Sequence, residues 1–160
     1  MNPTVAQVVA ALDLKPHPEG GYYREVFRSD LTLPLPRGTR ATCTSIHFLL
    51  PAGAFSAWHR VRSDEIWVHH DGDPLELHLL DDTGRHTLHV LGRDHAAGQV
   101  PSVAVPAGLL QAATPRGERY ALCACVVAPG FDFADFAMPS REVLSRAFPG
   151  KVELVERFTR

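Results

Sequence analysis

The spacing of apolar positions changes once, near the start of the chain. Val5, Val8, Val9 and Leu12 recur at helical intervals, and Thr4 with Gln7 forms a T-x-x-Q capping box, so a short N-terminal helix is predicted. KPHPEGG follows, with two prolines and two glycines in seven residues, and demands a turn or an irregular loop. From Tyr22 to about Val127 the pattern becomes short runs rich in β-branched and aromatic residues: YYREVFRS, TCTSIHFLL, DEIWVHH, LELHLL, HTLHVL, SVAVP and YALCACVVA. They are separated by LPLPRGT, PAG, DGDP, DDTG, GRDHAAGQ, PAG and TPRGE. Strands of roughly 5–7 residues punctuated in this way predict an antiparallel sandwich or barrel, not alternating strand–helix units. Asp71-Gly72 and Thr83-Gly84 read as hairpin turns.

After Val127 the phrase APGFDFADFAMP is expected to place Phe131, Phe133 and Phe136 in a flap packed on the outside of the sheet. Ser140 caps a predicted helix running to Ala147, with Val143, Leu144 and Phe148 on its apolar face. Pro149-Gly150 ends it, and VELVERF closes the chain as an element whose type the pattern leaves open. No linker, repeat or low-complexity stretch interrupts residues 1–160, so one all-β domain is expected.

Composition narrows the classes of partner. The 160 residues are 45% hydrophobic and 21% charged with a formal net charge of −2, and no stretch forms a basic stripe, so nucleic acid is not an expected partner. The N-terminus lacks the basic lead and apolar run of a signal peptide, and no stretch approaches the roughly 20 apolar residues of a membrane span. No membrane partner is expected, and a cytoplasmic location follows by absence of the alternatives. The three cysteines, Cys43, Cys123 and Cys125, are odd in number, and the last two form a C-x-C on one strand face. That argues against a disulfide framework and against the C-x-x-C spacing of a metal pair, leaving small buried hydrophobes.

The chemistry concentrates in GAFSAWHRVRSDEIWVHHDG, residues 53–72. If one strand ends near His59 and the next begins at Glu65, alternation sends Glu65, Trp67 and His69 to one face and Ile66, Val68 and His70 to the other. A carboxylate, an indole and an imidazole on one barrel face suit a ligand pocket better than a dry core, because a buried unpaired carboxylate is costly. Glu65 therefore needs His59, an arginine, a metal or a ligand beside it. Lone strand histidines are ordinarily structural or exposed, and His70, His78, His86, His89 and His95 are read so. Arg60 and Arg62 are read as surface charges flanking His59.

Gly53, five residues, His59, one residue, Val61, three residues, Glu65, six residues, Gly72 resembles the first motif of the cupin superfamily, G-x5-H-x-H-x3,4-E-x6-G. Pro106-Ala107-Gly108-Leu109-Leu110-Gln111 resembles the second, P-x-G-x-x-H. HPEGGYYREVFRS, TSIHFLL, HRVRSDEIW, VPAGLLQAA and VVAPGFDFADF are similar to cupin family five, a small and poorly characterised branch. The resemblance implies a double-stranded β-helix, or jelly roll, with a short N-terminal helix, a small C-terminal helical segment and a pocket in one end of the barrel. It also implies a homodimer paired through its sheets.

Two departures bear on the metal that typical cupins hold with three histidines and a glutamate. Val61 stands at one histidine position and Gln111 at another. Valine does not coordinate, and a glutamine carbonyl is a weak donor beside imidazole. No metal is favoured; a loosely bound divalent ion would have His59, Glu65 and Gln111, with His47 or His69 as substitutes. Without a metal, His59 beside a carboxylate is expected to act as a general base with raised basicity, as in cupins related to nucleotide-sugar epimerases and ketoisomerases. Those pair histidine with tyrosine. Of Tyr22, Tyr23 and Tyr120, Tyr23 is the favoured acid because it shares a strand face with Glu25, while Tyr22 and Arg24 take the other. The expected site is thus His59, Glu65 and Tyr23 for catalysis and Glu25, His47, Trp67, His69, Gln111 and Tyr120 for ligand contacts. The expected ligand is a small polar molecule, a carbohydrate or nucleotide-like, turned over by isomerase or epimerase chemistry. The alternatives are a binding or sensing module without turnover, a weakly metal-dependent, dioxygenase-like cupin, and a storage or scaffold protein.

Overall fold

The computed structural model describes residues 3–160. Helix α1 (Val5–Ala11) begins at Thr4, whose capping box with Gln7 is formed in both directions. Strands follow: β1 (Lys15–Pro16), β2 (Tyr22–Arg28), β3 (Thr32–Leu35), β4 (Gly38–Ala41), β5 (Thr44–Pro51), β6 (Ser56–Val61) and β7 (Asp64–Gly72). After them come β8 (Leu75–Leu80), β9 (His86–Leu91), β10 (Ser102–Val105), β11 (Leu110–Pro115), β12 (Tyr120–Ala128) and the short β13 (Phe136–Ala137). The chain closes with α2 (Arg141–Ala147) and α3 (Val152–Arg157).

Two antiparallel sheets face each other as a jelly roll, one ordered β1-β2-β5-β12-β7-β10 and the other β13-β6-β11-β8-β9. Alternation fills the space between them. On β12, Ala121, Cys123, Cys125 and Val127 turn inward, and on β8 Leu75, Leu77 and Leu79 do, joined by Phe48, Leu50 and Trp67. The helices cover the outer faces. Val8 and Leu14 pack with Leu49 and Tyr120 on the six-stranded sheet. Leu144, Phe148, Val155 and Phe158 seal Trp58, Leu80 and Leu110 on the five-stranded one. VELVERF is therefore helical, its Val155 fully buried. Among the described residues no helix is long and apolar enough to cross a membrane.

Three departures from expectation have local causes. LPLPRGT is not a plain separator: Thr32–Leu35 and Gly38–Ala41 pair across it as a hairpin pinned by a buried carboxylate, Asp135, which binds both Arg37 and Arg40. LQAATP is a central strand hidden by its alanines and its proline, and Pro115 sits at its end, where no ladder donor is lost. His78 points away from the barrel as expected, yet it is buried, because Phe158 lies 4.7 Å from its ring and His86 hydrogen-bonds it at 3.0 Å.

Candidate functional site

A cavity of about 470 Å³ opens at the end of the barrel where β6 finishes and β7 starts. Strand alternation supplies most of its wall: Thr44 and Ile46 from β5, His59 and Val61 from β6, Glu65 from β7, Cys125 and Val127 from β12. Strand β2 contributes Tyr23, Glu25 and Arg28. Tyr23 and Glu25 obey alternation; Arg28, three positions on, would break it, but a bulge shifts the register between Glu25 and Phe27 and returns Arg28 to the face of Glu25.

The turn KPHPEGG adds two groups to which strand alternation and motif spacing assign no role, His17 and Glu19. The His17 N–H donates to the Gly21 carbonyl at 3.0 Å, and Gly20 (φ +118) and Gly21 (φ +70) let the chain reverse. Glu19 is then fixed through its own carbonyl, which accepts from the Ala57 N–H at 2.8 Å and from the Arg160 guanidinium at 3.1 Å, 141 positions away. A lone His-x-Glu in a Pro/Gly turn was the available signal; that the turn dips into the barrel mouth is a tertiary fact.

Glu19 and His59 form the centre of the floor. Glu19 Oε1 accepts from the Ser56 hydroxyl at 2.9 Å, and Oε2 lies 3.3 Å from His59 Nε2 and 3.6 Å from His17 Nδ1. His59 Nδ1 is 2.8 Å from the Ala57 carbonyl. A carbonyl only accepts, so Nδ1 carries a hydrogen, and in the neutral ring Nε2 is a bare lone pair. A carboxylate facing that lone pair would repel it. The contact is satisfied only when one proton lies between the two groups. Burial pushes the Glu19 carboxyl up to about 8, against the pull of Ser56 and Arg160, so this proton rests on Glu19 near neutral pH.

Burial also lowers His59, opposed by Glu65 and the Ala57 carbonyl, so its basicity is reduced and not raised as expected. Burial raises Glu65, which His59 pulls down and Glu19 pushes up further. His17 is lowered to about 4 by burial and then by His59. The floor thus brings together two carboxyl groups and two imidazoles, each pushed by burial toward its neutral form. Cys125 is buried, its thiol held well above the ordinary value by burial and by Glu65, which makes it no nucleophile.

Of the residues singled out in the sequence, His59, Glu65, Tyr23 and Glu25 line the cavity. Gln111 lies one layer behind, donating to Glu65 Oε2 at 2.6 Å while its carbonyl accepts from Trp67 Nε1 at 2.9 Å. Trp67 shares the inward face of Glu65 but sits deeper, edge-on to Phe48 at 5.5 Å. His69 follows the same face to the far end, where its ring binds the Asp73 carbonyl, because four residues of strand span about 13 Å. His47 has the opposite parity to Ile46 and faces outward beside His70, so it does not reach the cavity. Tyr120 also points out, donating to Asp71 at 2.8 Å beneath α1. The flap is corrected as well: Phe131, Phe133 and Phe136 form the cavity's outer wall, their rings 5.0–6.1 Å apart, and Phe136 lies 5.5 Å from His59.

The donor set does not fit the metal site of typical cupins. Val61 presents only methyls, Gln111 has its carbonyl committed to Trp67, and among the described residues no three His, Cys, Asp or Glu side chains converge as ligands.

The family model described as Cupin superfamily (DUF985) matches residues 6–139. Protein SO0799 from Shewanella oneidensis is 33% identical, with a TM-score of 0.94 over 99% of each chain. A hypothetical protein from Leishmania major is 31% identical, with a TM-score of 0.90 over 98% of this chain and 99% of its own. Oxalate decarboxylase from Bacillus subtilis, 20% identical with a TM-score of 0.58 over 89% of this chain and 36% of its own, shares the fold alone. No functionally curated protein is detectably similar in sequence.

Proposed function

This chain belongs to the cupin superfamily, and from that premise we propose that it binds a small polar molecule in the end cavity and moves a proton through His59 and Glu19, as an isomerase or epimerase does. One observation carries the reading: His59 Nε2 and Glu19 Oε2 face each other at 3.3 Å, and both side chains line the cavity. With the proton on Glu19, Nε2 is the base that takes a hydrogen from carbon beside a carbonyl while the carboxyl gives its own to the oxygen. The imidazolium then gives its proton to the former carbonyl carbon while the Glu19 carboxylate takes the proton of the other enediol hydroxyl, which moves the carbonyl by one carbon and restores both groups. Glu65 stabilises the imidazolium that forms, and the phenylalanine wall excludes water. Because of the donor set described above, the proposal assigns no step to a metal.

The test is solvent-deuterium incorporation into aldoses and ketoses incubated with the protein. Wild type is expected to label the carbon next to the carbonyl, and His59→Ala to slow labelling by about 10²-fold or more. Binding without any labelling would leave a sensing module and refute the acid–base role.

Pairing of two copies belongs to the same proposal. Phe27, Ser45, Val126 and Ile66 are successive cross-strand neighbours on the outer face of the six-stranded sheet. Phe27 and Ile66 are 52% and 43% exposed there, an apolar row suited to its own copy. Sedimentation equilibrium should give a dimer that Phe27→Glu with Ile66→Glu dissociates.

A further inference from the structure

The electrostatics of the cavity restrict its ligand further than its shape does. One guanidinium, that of Arg28, reaches the lining, and it is already engaged. Its Nε donates to Glu25 Oε1 at 2.9 Å, and its Nη2 donates to Glu25 Oε2 at 2.7 Å and to the Phe131 carbonyl at 3.1 Å. Against it stand four carboxyl groups, Glu19, Glu25, Glu65 and Asp132. Even with protons on both buried acids, Glu25 and Asp132 leave two carboxylates to one paired cation. A phosphate entering this mouth would meet like charge and no free donor fork.

The remaining surface is complementary to something else. The rings of Phe131, Phe133, Phe136 and Tyr23 present apolar faces, while Glu19 and Glu65 present carboxyl oxygens. Hydroxyl groups pair with carboxyls whether these are protonated or not, and C–H faces of a ring pack on phenyl groups. The volume of about 470 Å³ lies within the roughly 300–1,000 Å³ of small-molecule sites.

We infer that the cavity selects an uncharged polyhydroxylated ligand, a free sugar, and rejects its phosphate esters and nucleotide sugars. The inference rests on the reading of this cavity as the ligand site. It sets the protein apart from the nucleotide-sugar branch of the resemblance, and it assigns Glu25 a role in specificity: by occupying Arg28 it denies anions the one guanidinium among the described lining residues.

Calorimetric titration of the full chain with free pentoses and hexoses, their phosphate esters, UDP-glucose and choline tests this. Ile46→Trp, which fills the cavity, marks binding there. At least one free sugar is expected to bind wild type about tenfold or more tighter than its phosphate ester, and to lose binding in Ile46→Trp. Glu25→Gln should release Arg28 and narrow or reverse that ratio; Glu25→Ala provides the same release should the glutamine retain the arginine. Phosphate esters or UDP-glucose binding wild type in the cavity as tightly as free sugars would overturn the inference while leaving acid–base chemistry in place. Choline binding tighter than every sugar, or no binding by any sugar, would overturn it too. Free-sugar binding with no deuterium exchange would sustain this inference and refute the catalytic reading instead.

Discussion

Glu19 is placed under opposite demands by its neighbours. Burial asks it to be neutral, and the bare Nε2 of His59 asks it to bring a hydrogen, and both are met by a carboxylic acid. Glu19→Gln preserves the shape and supplies an amide hydrogen that does not transfer. The variant is expected to fold, keep the Nδ1–H tautomer of His59 in ¹⁵N NMR spectra, and lose solvent exchange by about 10²-fold or more. An unchanged exchange rate would move the proton chemistry elsewhere. At this scale the sequence showed what strand alternation and motif spacing can show. His59 and Glu65 were legible because both lie on strands bracketing a short turn. Which of Glu65, Trp67 and His69 reaches a cavity at one end depends on depth along a strand, which parity does not encode. Glu19 was silent, since a turn's excursion into a barrel leaves no period.

Elements hold these residues in place through few contacts. A Cβ on Gly20 would collide with the Phe55 carbonyl, and its φ of +118 disfavours any side chain. Gly20→Ala should destabilise the fold by about 1–3 kcal/mol in urea unfolding and weaken sugar binding, because the strain falls on the turn that carries Glu19. The β3–β4 hairpin and the phenylalanine wall share one anchor, Asp135, bound to Arg40 at 2.8 Å and Arg37 at 3.1 Å. Asp135→Ala should lower the melting temperature and speed amide exchange in residues 32–41 and 131–137 together. Faster exchange in only one of them would show the two elements to be independent. Long strands such as YALCACVVA were legible to the residue, while LQAATP was not, because small residues serve a tightly packed centre without advertising it. The wall was misplaced outside the sheet because three phenylalanines in a loop look alike whether they cover a sheet or close a barrel.

For the molecule as a whole, the buried acids and imidazoles set a pH optimum. Glu19 binds its proton more tightly folded (about 8) than its ordinary 4.5, so the folded state holds a proton the unfolded state has lost, and stability falls as pH rises through that window. Glu65 acts in the same direction. His17 and His78 behave oppositely: each is lowered from 6.5 to about 4, so stability falls as pH drops through that range. Stability is therefore expected to peak between the acidic limb set by the histidines and the alkaline limb set by Glu19, and to decline toward pH 8. Denaturant melts across pH should show Glu19→Gln flattening the alkaline limb and exceeding wild type at pH 8. A limb of the same slope in the variant would mean Glu19 is already ionised when folded.

The grip of Arg160 on the Glu19 and Phe55 carbonyls has a temporal consequence. A residue made early waits for one made 141 positions later before its backbone is clamped, so on the ribosome the barrel can close while the floor of its cavity is still unsecured. Arg160→Ala would then loosen the turn that carries Glu19 while leaving the strands of the barrel intact.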